Sequence, residues 1–293
     1  MVKKENYNVS EILKLATSFL KKNGIQNPRL DSELLLGAVL NISRVEIYTD
    51  FFRPLSPQEI QTYRELISIR AKGKPVAYIL EKKPFRHLVL KVNQDVLIPR
   101  PETELVVDKV LEIAKKRKES EFKMVDLGTG SGAIALSIVY EMSNVFMFAL
   151  DFSEKALNVA RENAKLYGLN DKVKFICCDL FKDLDNGLKN KIDVIVSNPP
   201  YIPSGKINEL QREIRDFEPL LALDGGPDGL KEYRRIIAEA PDYLKEDGYL
   251  ILEIGENQAD SVECLLNDSG KYDEVDISKD YAGIERIVAA RRR

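Results

Sequence analysis

The sequence is poor in the residues on which metal and thiol chemistry depend. Its 293 residues hold one histidine, His87, so a histidine-rich metal site or coupled histidine chemistry is excluded. Of three cysteines, Cys177 and Cys178 are adjacent, Cys264 stands alone, and no C-x-x-C occurs. That set suits neither a disulfide framework nor a zinc site, and it points to a reducing compartment. The opening MVKKENYNVS has no apolar stretch of signal-peptide type, and no run approaches membrane-spanning length. The expected location is the cytoplasm. An excess of one charge is also missing: 44 Lys+Arg against 47 Asp+Glu leave a net charge of −3. This argues against a protein that grips long stretches of nucleic acid by charge. The terminal RRR is read as a solvated tail and His87 as an ordinary polar residue of a hairpin.

What is present divides into three textures. Residues 1–75 are helical in pattern. SEILKLATSFLKKNG places Ile12, Leu15, Ala16, Phe19 and Leu20 on one face, with Gly24 as a stop. Ser56 and Glu59 stand in capping-box spacing around Pro57 at the first helical position. No catalytic cluster occurs here, so the module is read as a recognition domain. Residues 76–100 alternate at Leu88, Leu90 and Val92, which suggests a β-hairpin linker. A helix begins near Pro101. From Glu121 strands and helices alternate, with strands expected at Lys123–Leu127, Val145–Leu150, Val173–Cys177, Ile192–Ser197, Tyr249–Ile254, Glu274–Ile277 and Ile284–Ala289. The fold class is therefore α/β: a seven-stranded, doubly wound, mostly parallel Rossmann-like sheet over 101–293, preceded by a small all-helical domain. Ligands of such sheets bind at the carboxyl ends of the strands.

MVDLGTGSGAIALSI carries Asp126 at a strand end, then Gly128, Thr129, Gly130, Ser131 and Gly132 before an apolar helix. Glycines there let the chain turn tightly and let a ligand approach the backbone. Asp151 ends the next strand, where a carboxylate can accept ribose hydroxyls. Gly128, Gly130 and Ala133 also fit the dinucleotide pattern, so NAD(H) and S-adenosylmethionine both fit the loop alone. Two features separate them. Asp126 would repel a pyrophosphate and attract the ammonium and sulfonium of S-adenosylmethionine. In CCDLF, Asp179 can accept from an adenine amino group, and Leu180 or Phe181 can cover the ring.

The fourth strand ends in Asn198-Pro199-Pro200-Tyr201. Two prolines fix two φ angles and remove two donors. The turn reads as a rigid clamp for a flat amino or amide nitrogen. The Asn198 oxygen and the Pro199 carbonyl each accept one N–H, and Tyr201 lies against the planar group.

With these motifs the chain resembles class I S-adenosylmethionine-dependent methyltransferases that act on amino nitrogens, and most closely the HemK/PrmC family. LIPRPETE (97–104) and FEPLLALDGGPDGLKEYRRI resemble that family's segments before the catalytic domain and after the clamp. The resemblance implies methyl transfer from S-adenosyl-L-methionine, leaving S-adenosyl-L-homocysteine, to the glutamine amide of the GGQ motif in class 1 peptide-chain release factors. It also implies a five-helix N-terminal domain, a reversed last strand, release-factor binding across both domains, and Arg100 and Thr103 near the pocket. The principal alternative is an adenine-N6 methyltransferase acting on DNA or RNA, which would ordinarily need a basic groove. A non-catalytic S-adenosylmethionine sensor and an NAD oxidoreductase are the others.

Overall fold

A computed structural model describes residues 7–117 and 121–293. Most of the stretch read for a signal peptide, and Lys118 at the end of the helix expected after Pro101, lie outside the described residues. Along the chain come helices α1 (Val9–Lys22), α2 (Pro28–Leu40), α3 (Arg44–Thr49), α4 (Pro57–Ala71) and α5 (Val76–Leu80), then strands β1 (Lys82–Phe85) and β2 (Leu88–Lys91). There follow α6 (Glu104–Lys116), β3 (Phe122–Leu127), α7 (Ala133–Glu141), β4 (Val145–Asp151), α8 (Glu154–Leu166), β5 (Val173–Cys177) and β6 (Ile192–Ser197). The last elements are α9 (Arg212–Arg215), α10 (Lys231–Glu239), β7 (Leu244–Glu253), α11 (Ala259–Ser269), β8 (Tyr272–Lys279) and β9 (Glu285–Arg292).

The chain forms two compact units. The first takes the chain up to Glu81 together with Gln211–Phe217, and the second takes Lys82–Leu210 and Glu218–Arg293. The helical unit thus extends past residue 75 through α5, and it recruits a segment from far along the sequence. Asn8, Ser43 and Ser56 each close a capping box with Glu11, Glu46 and Glu59, so three of its helices start where local chemistry tells them to. The buried stripe of α1 is Val9, Ile12, Leu13, Ala16 and Leu20, whereas Leu15 and Phe19 are exposed. The apolar face read from the sequence was therefore rotated: at 100° per residue the core takes positions 9, 12, 13, 16 and 20. Arg70, 4% exposed, holds the recruited segment. It donates to Asp31 at 2.7 Å, to the carbonyls of Gly73 and Lys74, and to Glu213. Gly73, at φ +103°, leaves the room that Arg212 and Phe217 fill.

In the second unit the hairpin β1–β2 belongs to the sheet's core rather than to a separate linker, because Phe85, Leu88 and Leu90 bury against α6, α7 and one sheet face. The sheet order is β5-β4-β3-β6-β7-β9-β8. All pairings are parallel except those of β9, which runs antiparallel to both its neighbours. Alternate residues of each central strand face opposite layers. Met124, Val194 and Val196 join the core under α6 and α7, while Val125, Ile195 and Leu252 join that under α10 and α11. The terminal arginines are not a solvated tail. Arg291 and Arg292 lie in β9, where Arg291 bonds Asp273 at 2.9 Å and Arg292 bonds Asn190 at 2.6 Å. Asp273 and Glu274 at the start of β8 hold Arg291 on the sheet.

Arg70 predicts a measurable weakness. Replacing it by Met leaves the Asp31 carboxyl, whose pKa burial already raises, without its cation. The expected loss is about 3–5 kcal/mol in urea unfolding followed by circular dichroism, and Arg70→Met with Asp31→Leu should recover most of it. An unchanged unfolding curve for the single variant would contradict the pairing.

Candidate active site at the carboxyl edge of the sheet

Parallel register sets the site. Leu127 pairs with Leu150 on one side and with Ser197 on the other, and Ser197 pairs with Leu252. The next residue on each strand, or just past it, is therefore aligned across the edge: Asp151, Gly128, Asn198 and Glu253. The strand order reverses between β3 and β6, the crevice where open α/β sheets bind ligands.

The glycine loop is stitched down from below. Gly128 and Thr129 both donate to the Leu150 carbonyl, at 2.8 and 2.9 Å. Gly128, Gly130 and Gly132 all have positive φ, but their surroundings differ. A Cβ on Gly128 would meet nothing within 4 Å and one on Gly130 only a carbonyl at 4.0 Å, whereas one on Gly132 would strike Leu136 at 2.9 Å. The first two border open space, and the third lets helix α7 pack. Thr129 and Ser131 are buried. The Thr129 hydroxyl donates to Asp126 Oδ2 at 2.7 Å, and the Ser131 carbonyl accepts from Asn163 at 2.9 Å.

Asp126 is fully buried, and its Oδ2 also accepts from the Ala135 amide at 3.2 Å. Its Oδ1 is buried with no partner among the described residues. Burial pushes its pKa up to about 7 against the two hydrogen bonds that oppose it. Asp151 sits on the rim, each carboxylate oxygen taking one backbone donor at 2.9 Å, from Gly130 and from Ser153. Each oxygen keeps a lone pair for a further donor, and burial raises this carboxyl as well.

At the CCDLF corner, Asp179 accepts from Arg235 at 2.8 Å. Leu180 adopts a left-handed backbone, φ +53°, and is half-buried. Phe181 is 2% exposed and stacks on Tyr243 with centroids 5.1 Å apart. Its ring is core, so of the two residues read as a cover for an adenine only Leu180 reaches the rim.

The Asn198–Tyr201 turn is held on several sides. The Asn198 amide donates to Thr103 Oγ1 at 3.2 Å. Gln258 donates to the Tyr201 carbonyl at 3.0 Å. A Cβ on Gly225 would come within 2.8 Å of the Pro200 carbonyl, and one on Gly255 within 2.9 Å of the Tyr201 ring. Pro199 is buried and Pro200 half-buried. Burial raises the Tyr201 phenol to about 12. Arg100 donates to the buried Glu218 at 2.5 Å, which fixes the strand of backbone leading to Thr103.

Glu253 was not among the residues read from the sequence. It ends β7, is 2% exposed, and is pushed up to about 7 by burial. Its signal was available: like Asp126 and Asp151, it is an acid closing an apolar strand.

Comparison with known proteins bears on what this edge does. Residues 11–80 match the PrmC N-terminal domain and residues 118–280 a methyltransferase domain. The chain is 42% identical over 270 residues to a release factor glutamine methyltransferase of Caulobacter vibrioides, covering 92% of this chain and 91% of that protein. It is 37% identical over 289 residues to another from Geobacter sulfurreducens, covering 99% and 98%. Among solved structures, the hMettl16 catalytic domain in complex with a MAT2A 3'UTR hairpin has a TM-score of 0.57 at 16% identity, over 77% of this chain and 81% of that one. At that identity the likeness is one of fold.

The two raised carboxyls give a pH dependence with a definite sign. Asp126 rises from 3.8 and Glu253 from 4.5, both to about 7. Between those limits the folded protein binds more protons than the unfolded chain, so these groups stabilise the free protein at low pH and lose that contribution as pH rises through about 7. Asp126→Asn should flatten the stability-against-pH curve over that window. Parallel curves for variant and wild type, by urea unfolding, would show that the Asp126 pKa is unshifted.

Proposed function

The chain belongs to the release factor glutamine methyltransferase family, and from that premise we propose how its residues divide the work of methylating a glutamine side-chain amide nitrogen in the GGQ motif of class 1 peptide-chain release factors. The protein is an enzyme, a protein-(glutamine-N5) methyltransferase. The observation that carries the assignment of its site is the Leu127–Ser197 register, which sets the glycine loop and Asn198 side by side at the switch point.

S-adenosyl-L-methionine suits the loop side of this edge. The unpartnered Oδ1 of Asp126 suits an ammonium, the open space at Gly128 and Gly130 suits a ligand close to backbone, and the spare lone pairs of Asp151 suit ribose hydroxyls. Thr129, Ser131 and Gly132 hold the loop's shape. Leu180 and Asp179 would flank the adenine, Asp179 with Arg235 attached. When bound, this cofactor supplies an electrophilic methyl group on a sulfonium and is left as S-adenosyl-L-homocysteine.

The clamp's task follows from the target. An amide nitrogen is a weak nucleophile because its lone pair is delocalised into the carbonyl. Asn198 Oδ1 and the Pro199 carbonyl accept its two N–H groups and hold it in one orientation. As positive charge grows on the nitrogen those N–H groups become better donors, so both bonds tighten toward the transition state. Pro200 stiffens the turn, and the Tyr201 ring packs against the amide plane.

The helical unit is the proposed recognition domain. Its exposed Leu15 and Phe19 border a groove of about 260 Å³ with Tyr7, Tyr63 and Arg64. The three free cysteines suit a cytoplasmic enzyme, and among the described residues no helix is long and apolar enough to cross a membrane.

Mass spectrometry of a release factor incubated with enzyme and S-adenosylmethionine should find one methyl group on the GGQ glutamine. Methylated DNA or RNA adenine with unmodified factor would favour the nucleic-acid reading instead. Asn198→Ala should lower kcat by about 10²–10³ at saturating cofactor, the cost of removing one transition-state hydrogen-bond partner. A wild-type kcat would make the turn purely structural. Phe19→Glu should raise KM for intact factor by about tenfold, as loss of an apolar anchor does, with cofactor affinity unmoved. An unchanged KM would remove the groove from recognition.

A further inference from the structure

LIPRPETE (97–104) lies far from the Asn198–Tyr201 turn in sequence, yet it touches it. Asn198 Nδ2 donates to Thr103 Oγ1 at 3.2 Å across 95 positions. Thr103 is 4% exposed. It stands directly before α6, where a threonine ordinarily gives its hydroxyl to the first amides of the helix. Its side chain makes no such capping bond, and the hydroxyl meets Asn198 instead. A side chain that forgoes its local role for a distant contact points to a functional demand.

Both flanks of Thr103 are anchored. Before it, the buried Glu218 accepts from the Ile98 amide at 3.2 Å and from Arg100 at 2.5 Å. The Thr103 amide closes a short turn by donating to the Arg100 carbonyl at 3.2 Å. After it, Glu104 accepts from the Arg86 amide at 3.0 Å, and the Arg86 guanidinium donates to the Glu104 carbonyl at 3.3 Å. Arg86 is itself paired with Glu141 at 2.6 Å. Thr103 Oγ1 is thus a fixed point against which another side chain can be set.

Asn198 needs such a point. The two prolines restrict the backbone that follows it, but they leave its own χ1 and χ2 unset. Oδ1 and Nδ2 share one rigid plane, so holding the nitrogen fixes where the oxygen points. A hydroxyl can accept as well as donate. Acceptance from Nδ2 is the arrangement that leaves Oδ1 for a target –NH2, which needs an acceptor.

We propose that Thr103 is a positioning residue for methyl transfer: its hydroxyl holds the Asn198 side chain so that Oδ1 faces the target nitrogen. LIPRPETE is then the strut that carries this hydroxyl to the clamp. The inference rests on the clamp role of Asn198 given above.

The test is a double-mutant cycle on kcat with intact release factor and saturating S-adenosylmethionine. Thr103→Val keeps the shape and removes the acceptor, and Thr103→Ser keeps the hydroxyl and removes the methyl group. Thr103→Val should lower kcat about fivefold to tenfold, the range of one neutral hydrogen bond. KM for the factor, and cofactor affinity by calorimetry, should stay within about twofold, because the lost contact serves the transition state. Thr103→Ser should retain wild-type kcat within about twofold. In an Asn198→Ala background Thr103→Val should cost nothing further, since a residue that acts through another has no separate effect once that one is gone. A wild-type kcat for Thr103→Val while Asn198→Ala is impaired, additive losses in the cycle, or a Thr103→Ser as impaired as Thr103→Val would each overturn the proposal and leave the clamp intact. A normal kcat for Asn198→Ala would overturn the clamp, and this proposal with it. Should Thr103→Val fail to fold, Thr103→Ala takes its place in the same cycle, with the same outcomes deciding.

Discussion

The parallel pairing of β3 with β6 is the constraint on which the rest of the site depends. These strands are distant in sequence, and each ends in a different kind of turn. β3 gives way to glycines that hug the sheet edge, and β6 to a proline turn that stands off it. Only because Leu127 and Ser197 are register partners do the two turns face each other across the switch point. A register slip of one residue would invert every side chain of β6. It would turn Val194 and Val196 out of the layer they fill under α6 and α7 and move Asn198 off the edge. The core that buries both faces of β6 is thus also the device that aims Asn198.

Aim also requires stiffness, and the structure obtains it from backbone packed on backbone. Pro199 and Pro200 restrict φ, but they cannot stop the turn from moving as a body. That is prevented by Gly225 and Gly255, whose missing Cβ atoms let neighbouring chain approach Pro200 and Tyr201 more closely than any side chain would allow. Gln258 closes the arrangement by donating to the Tyr201 carbonyl while its own oxygen accepts from the Gly255 amide. Methyl transfer to a poorly nucleophilic amide depends on orientation, and the clamp proposed for this turn would lose little of it to local motion on such a platform.

What the sequence disclosed, and what it hid, divides along the range of the interactions. The capping box at Ser56, the apolar strand runs around Val125 and Ile195, and the glycine and proline turns are encoded within a few residues, so they were readable. The helical unit's boundary was not, because Arg70 meets Glu213 across 143 positions and neither residue advertises the other. The same holds for Arg291 and Arg292, whose partners Asp273 and Asn190 lie far from them along the chain. Leu15 and Phe19 were misplaced for a different reason: a helix with apolar residues beyond its core stripe does not reveal by periodicity alone which part is buried. Phe181 looked like a ligand cover because it stands beside Asp179, yet its ring turns inward onto Tyr243. Thr103 entered only through family resemblance, and Glu253 not at all, although it closes an apolar strand as Asp151 does.

Three carboxylates at one sheet edge are an expensive arrangement for a fold to maintain. Asp126 and Glu253 are almost wholly buried, each with an oxygen that no described residue satisfies, and burial raises the pKa of all three acids. Hydrophobic residues of similar volume would pack there at lower cost. In the proposed complex a cationic group arrives at the open oxygen of Asp126 and relieves its isolation directly, so the stability given up by burying that carboxyl returns as affinity for a cation.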